Sequence, residues 1–222
     1  MTRWPVPSVH LVTDRARLSP EARTLAVELQ ALEALLDEAL DAGVDVIQIR
    51  ERDVEAGVLR ALAARVGAGA RGRARILVND RADVALAAGV DGVHLRAGSA
   101  PTHDVRRLAA PPWIVGRSVH TPEEAGGELE ADYVLFGTVF SGGSKPDGSP
   151  VAGPERLQEA VAACHLPVVA IGGITPERAA LARLAGAAGV AAIGVFLPPG
   201  RAPGALGAAA AVRALRASMQ PR

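Results

Sequence analysis

The 222-residue chain carries 24 basic and 24 acidic residues, so its formal net charge at pH 7 is zero. A neutral chain without a basic stretch interleaved with aromatic residues lacks the electrostatic footprint of a nucleic-acid-binding protein. No uncharged apolar run reaches the roughly 18 residues that argue for a membrane span, and a single cysteine, Cys164, excludes an intramolecular disulfide. We therefore expect a cytoplasmic protein with small-molecule partners, no nucleic acid and no membrane.

Short apolar runs alternate with longer segments of helical periodicity, which is the pattern of repeated βα units. Runs of this kind suit parallel strands that are covered on both faces. The predicted strands are Val9–Thr13, Val44–Arg50, Arg75–Asn79, Gly92–Leu95, Ile114–Ser118, Tyr133–Gly137, Val168–Ile171 and Gly189–Ile193.

Eight strands and a length close to the roughly 250 residues of a typical (β/α)8 barrel predict a single-domain TIM barrel over residues 1–222. The main alternative is a doubly wound open sheet. That fold would show a glycine-rich first turn, which Thr13-Asp14-Arg15 is not. The segment Ala205–Ser218 is predicted to be the closing helix.

Two helix starts follow predicted strands. Thr121 and Thr175 each stand before a proline and an acidic first turn, an arrangement typical of helix N-termini. On the first long helix, Leu29, Leu32 and Leu36 fall on one face, with charged residues opposite.

Glycines follow the last two predicted strands. Barrels frequently bind phosphate through the loops after strands seven and eight, where backbone N–H groups and a helix N-terminus favour an anion. Gly172, Gly173 and Gly194 are therefore candidate phosphate-binding residues, although a glycine pair is also consistent with a simple tight turn.

Polar side chains alternate along the second strand and beyond it. Gln48, Arg50 and Arg52 should point the same way, and arginine binds carboxylate or phosphate in a bidentate manner. We expect Arg50 and Arg52 to form a second anionic handle, with an ion pair at the barrel mouth as the alternative for Arg50. Glu51 should face the other side and pair with a surface arginine.

His120 follows the fifth strand, and imidazole is the side chain best suited to move a proton near neutral pH. It is the candidate acid or base, with an orienting or capping role as the alternative. His94 is predicted to be packed inside the barrel. No HxH, HExxH or paired-cysteine spacing predicts a zinc site.

The longest predicted loop spans residues 140–153 and contains Lys145, the single lysine of the chain. Loops of this length are commonly active-site lids or disordered spans. Its glycines would let Lys145 close over an anionic ligand, while a lysine retained by chance is an equal alternative.

Several ordered segments carry a family resemblance that covers nearly the whole chain. They are His10-Leu11-Val12-Thr13-Asp14, Gln48-Ile49-Arg50-Glu51-Arg52, Val78-Asn79-Asp80-Arg81, Asp91-Gly92-Val93-His94-Leu95, Gly116-Arg117-Ser118-Val119-His120-Thr121, Ala131-Asp132-Tyr133-Val134-Leu135-Phe136-Gly137 and Ala170-Ile171-Gly172-Gly173-Ile174. These segments resemble the thiamine phosphate synthase/TenI superfamily, which implies a TIM barrel and a phosphorylated thiazole substrate.

The synthase branch of that superfamily couples a pyrimidine pyrophosphate to a thiazole phosphate, and its pattern includes two aspartates that bind magnesium. Asp80 matches the first of these, whereas Ser99 stands where the second is expected. Arg52 takes the place of a lysine, and Gly142-Gly143-Ser144-Lys145 keeps only part of a Thr-x-Thr-Lys loop. Loss of one carboxylate should weaken the neutralisation of a pyrophosphate leaving group.

The resemblance is better to TenI-like thiazole tautomerases, and a tautomerase of thiamine biosynthesis is the function we expect. It implies that His120 transfers the proton, that Gly172, Gly173 and Gly194 bind the phosphate, and that no cofactor is needed. Substrate contacts are expected from Gln48, Arg50, Arg52, Asn79, Ser118 and Lys145.

Two alternatives stay open: a thiamine phosphate synthase with Mg²⁺ at Asp80, and a non-catalytic ligand-binding or regulatory barrel. The sequence also leaves open whether copies of the chain form a homo-oligomer.

Overall fold

Eight parallel strands close into a barrel in the computed structural model, which describes residues 4–142 and 150–220. Consecutive strands pair with each other, and the last strand pairs with the first. The strands are β1 (Ser8–Val12), β2 (Val46–Ile49), β3 (Arg75–Asn79), β4 (Gly92–Leu95), β5 (Ile114–Val119), β6 (Tyr133–Phe136), β7 (Val168–Ile171) and β8 (Gly189–Ala192). The predicted (β/α)8 barrel is confirmed, and the open sheet is excluded because β8 closes onto β1.

Helices connect the strands on the outside of the barrel. They are α1 (Arg15–Leu18), α2 (Leu25–Asp41), α3 (Ala56–Ala70), α4 (Ala82–Ala88), α5 (Thr102–Arg106), α6 (Pro122–Gly127), α7 (Gly153–Ala163), α8 (Pro176–Leu184) and α9 (Ala208–Met219), with a short 3₁₀ helix at Gly194–Phe196. Within the described residues, no helix is long and apolar enough to cross a bilayer.

The helix starts have the predicted chemistry. The side chains of Thr121 and Thr175 accept hydrogen bonds from backbone N–H groups in the first turns of α6 and α8, and proline occupies the first position of both helices. The closing helix α9 begins at Ala208, three residues later than expected, since Gly207 at φ +82° is not helical.

Two apolar clusters make up the core. The larger lies between the outer strand faces and the helices, where Leu36 and Leu215 are fully buried. The smaller fills the barrel interior around Leu77, Tyr133 and Leu135. Because side chains fill the lower interior, the open space is left at the carboxyl ends of the strands.

Candidate functional site

A cavity of about 360 Å³ opens at the carboxyl ends of the strands, within the size range of small-molecule sites. Most of the residues proposed from the sequence line it: Gln48, Arg50, Asn79, Ser118, His120, Gly172, Gly173 and Gly194. Arg17, Arg96 and Thr138 also line it, and the sequence did not predict them.

The glycine turn after β7 lies against the loop that follows β6. Gly172 and Gly173 have φ angles of +104° and +61°, and a Cβ at Gly172 would lie 2.5 Å from the Thr138 side chain. A Cβ at Gly173 would lie 2.4 Å from the carbonyl oxygen of Ser141. Both the conformation and the space therefore require glycine.

The carbonyl groups of this turn are occupied, whereas its N–H groups are not. Gly172 accepts a hydrogen bond from the N–H of Phe140, and Gly173 accepts one from Arg178. Within residues 4–142 and 150–220, no group accepts a hydrogen bond from the N–H of Gly172 or Gly173. Free N–H groups ahead of the N-terminus of α8 suit an anion.

Arg178 holds the two loops together. Its Nη1 donates to the carbonyl oxygens of Ser141 and Gly173, each at 2.8 Å, and its guanidinium lies over the Phe140 ring, 5.4 Å from the centroid. This role could not be predicted from the sequence, because Arg178 lies on α8 among other charged residues.

Arg17 adds a cation beside the last proposed phosphate-binding glycine. Its Nη2 would lie 3.7 Å from a Cβ at Gly194. The short helix α1 carries Arg17, and the neighbouring Arg15 anchors this helix. Arg15 is buried and donates to Glu51 at 3.0 Å and to Asp53 at 2.7 Å.

Arg15, which anchors α1, also determines the surroundings of its two acidic partners. Glu51 points away from the cavity as predicted and pairs with an arginine, but that arginine is buried. Burial raises the pKa of Glu51. The hydrogen bond from Arg15 lowers the pKa of Asp53 to about 2.

Arg50 is partly buried and faces the cavity. Its backbone N–H donates to Thr13 Oγ1 at 2.8 Å, which fixes the end of β2 against β1. No described residue forms a hydrogen bond or ion pair with its guanidinium, so the alternative of an ion pair at the barrel mouth finds no partner there. Burial, followed by the nearby charge of Arg52, lowers the pKa of Arg50.

The prediction that Arg52 faces the cavity beside Arg50 was wrong. Strand β2 ends at Ile49, so the alternation of side chains does not continue into the turn that holds Arg52. Arg52 is exposed and does not line the cavity.

Polar side chains cover the floor of the cavity. Gln48 Nε2 donates to Asn79 Oδ1 at 2.8 Å, and both side chains are buried. His94 is packed inside the barrel as predicted, with Nε2 at 2.8 Å from Ser118 Oγ and Nδ1 at 2.9 Å from Tyr133 Oη. Burial lowers the pKa of His94 to about 3, so this imidazole is neutral near pH 7.

His120 lies at the exposed rim. Its Nδ1 lies 2.5 Å from the carbonyl oxygen of Gly137, which can only accept, so Nδ1 carries the proton. Its backbone N–H donates to Glu124 at 2.7 Å. In the neutral imidazole, Nε2 is the acceptor.

Asp80 does not line the cavity, and its carboxylate is engaged by two neighbouring residues. It has φ +64° and accepts a hydrogen bond from Arg96 Nε at 2.7 Å, while Ser99 Oγ donates to its other oxygen. Burial raises the pKa of Asp80, but the bonds from Ser99 and Arg96 outweigh burial and leave it below the ordinary value.

These residues do not fit a protein-built magnesium site. Magnesium needs oxygen ligands, and the one carboxylate here is engaged by a guanidinium. In the part of the chain that the structure describes, no three Asp, Glu, His or Cys side chains come together as metal ligands. Among the described residues, neither Ser99 nor Arg96 has a carboxylate partner other than Asp80.

Lys145 lies outside the described residues, as do the other residues from 143 to 149. Of the predicted long loop, residues 140–142 and 150–153 are described.

Comparison with known proteins identifies the family. The family model described as "Thiamine monophosphate synthase" matches residues 12–196. The chain belongs to this family. Among the curated members, the thiamine-phosphate synthase of Anaeromyxobacter dehalogenans is 45% identical over 152 residues, covering 68% of each chain. That of Roseiflexus sp. is 39% identical over 192 residues, covering 83% of this chain and 78% of the relative.

A solved structure agrees with this assignment to the thiamine monophosphate synthase family. The thiamine phosphate pyrophosphorylase of Pyrococcus furiosus superimposes with a TM-score of 0.77 at 32% identity, covering 96% of this chain and 95% of that one. The superfamily expected from the sequence is thus confirmed, but the tautomerase branch was wrong: these relatives are named synthases.

Proposed function

We propose that the chain is a thiamine-phosphate synthase, which joins a hydroxymethylpyrimidine diphosphate to a thiazole phosphate and releases pyrophosphate. The observation that carries this proposal is the similarity to curated synthases at 39% and 45% identity over most of the chain. The proposal makes the chain a transferase of thiamine biosynthesis.

The two phosphorylated substrates match two separate anion-binding regions of the cavity. The free N–H groups at Gly172 and Gly173, with Arg17 beside Gly194, suit the phosphate of the thiazole. The guanidinium of Arg50 has no partner among the described residues and suits the diphosphate. The amides of Gln48 and Asn79 line the same cavity and offer donors and acceptors to the pyrimidine.

The reaction is a displacement at carbon. A bond forms between the thiazole ring nitrogen and the methylene carbon of the pyrimidine, and the bond from that carbon to the diphosphate oxygen breaks. The electron pair leaves with pyrophosphate, and no proton has to be removed from the nucleophile. The protein's task is to align the two substrates and to stabilise the leaving anion.

His120 then has a binding role. The hydrogen bond from Nδ1 to the Gly137 carbonyl oxygen fixes the orientation of the ring, and Nε2 is then available to contact a substrate group. Lys145 remains a proposed substrate contact. The cytoplasmic location and the oligomeric state stay predictions.

Incubation of the protein with both substrates tests the proposal. We expect thiamine phosphate and pyrophosphate in equal amounts, and Arg50→Gln should lower kcat/KM by about 10- to 100-fold, the scale of a hydrogen bond to a charged group. Arg65→Gln, on the outer surface, is the matched control and should behave as wild type. Binding of both substrates without turnover would favour the non-catalytic barrel and contradict the proposal.

A further inference from the structure

Arg96, Asp80 and Ser99 form a connected unit at the edge of the cavity. Arg96 Nε donates to Asp80 Oδ2 at 2.7 Å, and its Nη2 also pairs with that oxygen. Ser99 Oγ donates to Oδ1 of the same carboxylate and accepts a hydrogen bond from the backbone N–H of Arg96 at 2.9 Å. Both carboxylate oxygens are therefore engaged by this unit.

The pairing with Asp80 leaves part of the guanidinium available. Arg96 lines the cavity, and no described residue accepts a hydrogen bond from its Nη1. Its side chain is 54% exposed, so a ligand can reach it. Arg50 lines the same cavity and is close enough for the charge of Arg96 to affect it. Two guanidinium groups thus line one cavity, and Asp80 engages only that of Arg96.

We infer that Arg96 is a further anion-binding residue, which contacts the diphosphate leaving group directly and serves there in place of a protein-bound metal ion. This inference rests on the proposed synthase function. The diphosphate oxygen that receives the electron pair of the breaking C–O bond gains negative charge, and a fixed guanidinium stabilises it as it forms. Arginine suits this task because its planar group binds phosphate oxygens in a bidentate manner.

Asp80 and Ser99 are positioning residues in this arrangement. Asp80 binds the Nε and Nη2 edge of the Arg96 guanidinium, so the direction of Arg96 Nη1 is set before the ligand binds. Ser99 ties the same carboxylate to the backbone of the turn. A serine at this position completes the hydrogen bonding of Asp80, whereas a second carboxylate would repel it.

Calorimetric titration with sodium pyrophosphate in EDTA tests the inference without the second substrate. Wild type should bind pyrophosphate without metal, and Arg96→Gln should weaken that binding by about 10- to 100-fold. Arg107→Gln, which removes an exposed arginine of the outer surface, is the matched control and should bind as wild type. Circular dichroism of each variant checks that it is folded.

The same titration is then repeated with Mg²⁺ in place of EDTA. We expect the addition of Mg²⁺ to change the affinity of wild type for pyrophosphate by a smaller factor than the substitution Arg96→Gln changes it. Pyrophosphate binding that requires Mg²⁺, or equal binding by wild type and Arg96→Gln in EDTA, would overturn the inference even if thiamine phosphate is made. Failure to make thiamine phosphate under any condition instead overturns the proposed function, because pyrophosphate binding is measured separately.

Discussion

Glycine at two positions of the turn after β7 allows the backbone itself to meet the ligand. Gly172 and Gly173 combine positive φ angles with contacts that leave no room for a Cβ. At the close approach to the loop after β6, the turn's carbonyl groups accept hydrogen bonds, and no described residue accepts one from its N–H groups. The phosphate binding proposed for this turn therefore depends on backbone shape more than on any side chain.

Gly173→Ala tests this dependence on backbone shape. A methyl group would meet the Ser141 carbonyl and strain a backbone at φ +61°, so the turn must shift. We expect the KM for thiazole phosphate to rise by at least about tenfold, as for the loss of one charge-assisted hydrogen bond. Steady-state kinetics measure it, with Gly69→Ala, at an open helical position, as the control. An unchanged KM would remove the turn from the phosphate site.

His120→Asn distinguishes binding from proton transfer. For a binding role we expect kcat/KM to fall by about tenfold, the scale of one hydrogen bond. General acid–base catalysis would instead account for a loss of roughly 10²–10⁴-fold. A loss of that size, together with the disappearance of one limb of the pH–rate profile, would contradict the binding role.

At the scale of elements, the strands could be predicted because buried parallel strands leave a direct mark on sequence. The runs around Ile47, Ile76 and Val169 are apolar on both sides, and all three are fully buried. The helix starts at Thr121 and Thr175 could be predicted from capping chemistry. The polar residues that directly follow these strands, such as Arg50 and His120, reached the cavity as expected.

Other residues of the site could not be predicted from any pattern in the sequence. Arg17 and Arg96 lie among other arginines, and contacts distant in sequence set their positions. Arg15 anchors the helix that carries Arg17 to Asp53, 38 residues away, and Asp80 holds Arg96 from 16 residues away. Arg52 was misplaced because the end of β2 fell one residue short of the predicted boundary. The prediction of the branch was wrong because it rested on single positions such as Ser99, whereas similarity over most of the chain is to relatives named synthases.

The anchor of α1 provides a test at this scale. Arg15→Met leaves Glu51 buried without its partner, so the free energy of unfolding should fall by about 3 kcal/mol, the lower range for breaking a buried ion pair. Arg65→Met removes an exposed partner of Glu33 and should cost less than about 1 kcal/mol. Urea unfolding measures both variants. Equal effects would show that the buried pair does not anchor the helix.

At the scale of the whole molecule, the barrel interior contains two neutral histidines. Burial lowers the pKa of both His10 and His94 to about 3. His10 lies 2.9 Å from Ser8 Oγ and packs edge-on against Tyr133, which also contacts His94. Burial thus keeps both imidazoles of the interior neutral near pH 7.

These histidines predict how stability depends on pH. Below pH 6.5 the unfolded chain takes up protons at both positions, while the folded barrel does not until about pH 3, so protons favour unfolding. Between pH 6.5 and 5 the free energy of unfolding should fall by up to about 1.4 kcal/mol per pH unit for each histidine. Urea unfolding across this range measures the slope. His10→Gln should reduce it, the exposed His165→Gln should not, and a flat profile in wild type would contradict the burial of neutral imidazoles.

The cavity as a whole is proposed to hold two phosphorylated molecules side by side, and one structure tests this most directly. In crystals grown with thiamine phosphate and pyrophosphate, the phosphate ester should lie on the N–H groups of Gly172 and Gly173. The pyrophosphate should contact Arg50 and Arg96, with the pyrimidine between the two anions. A phosphate ester bound away from the glycine turn, or pyrophosphate without an arginine contact, would contradict it.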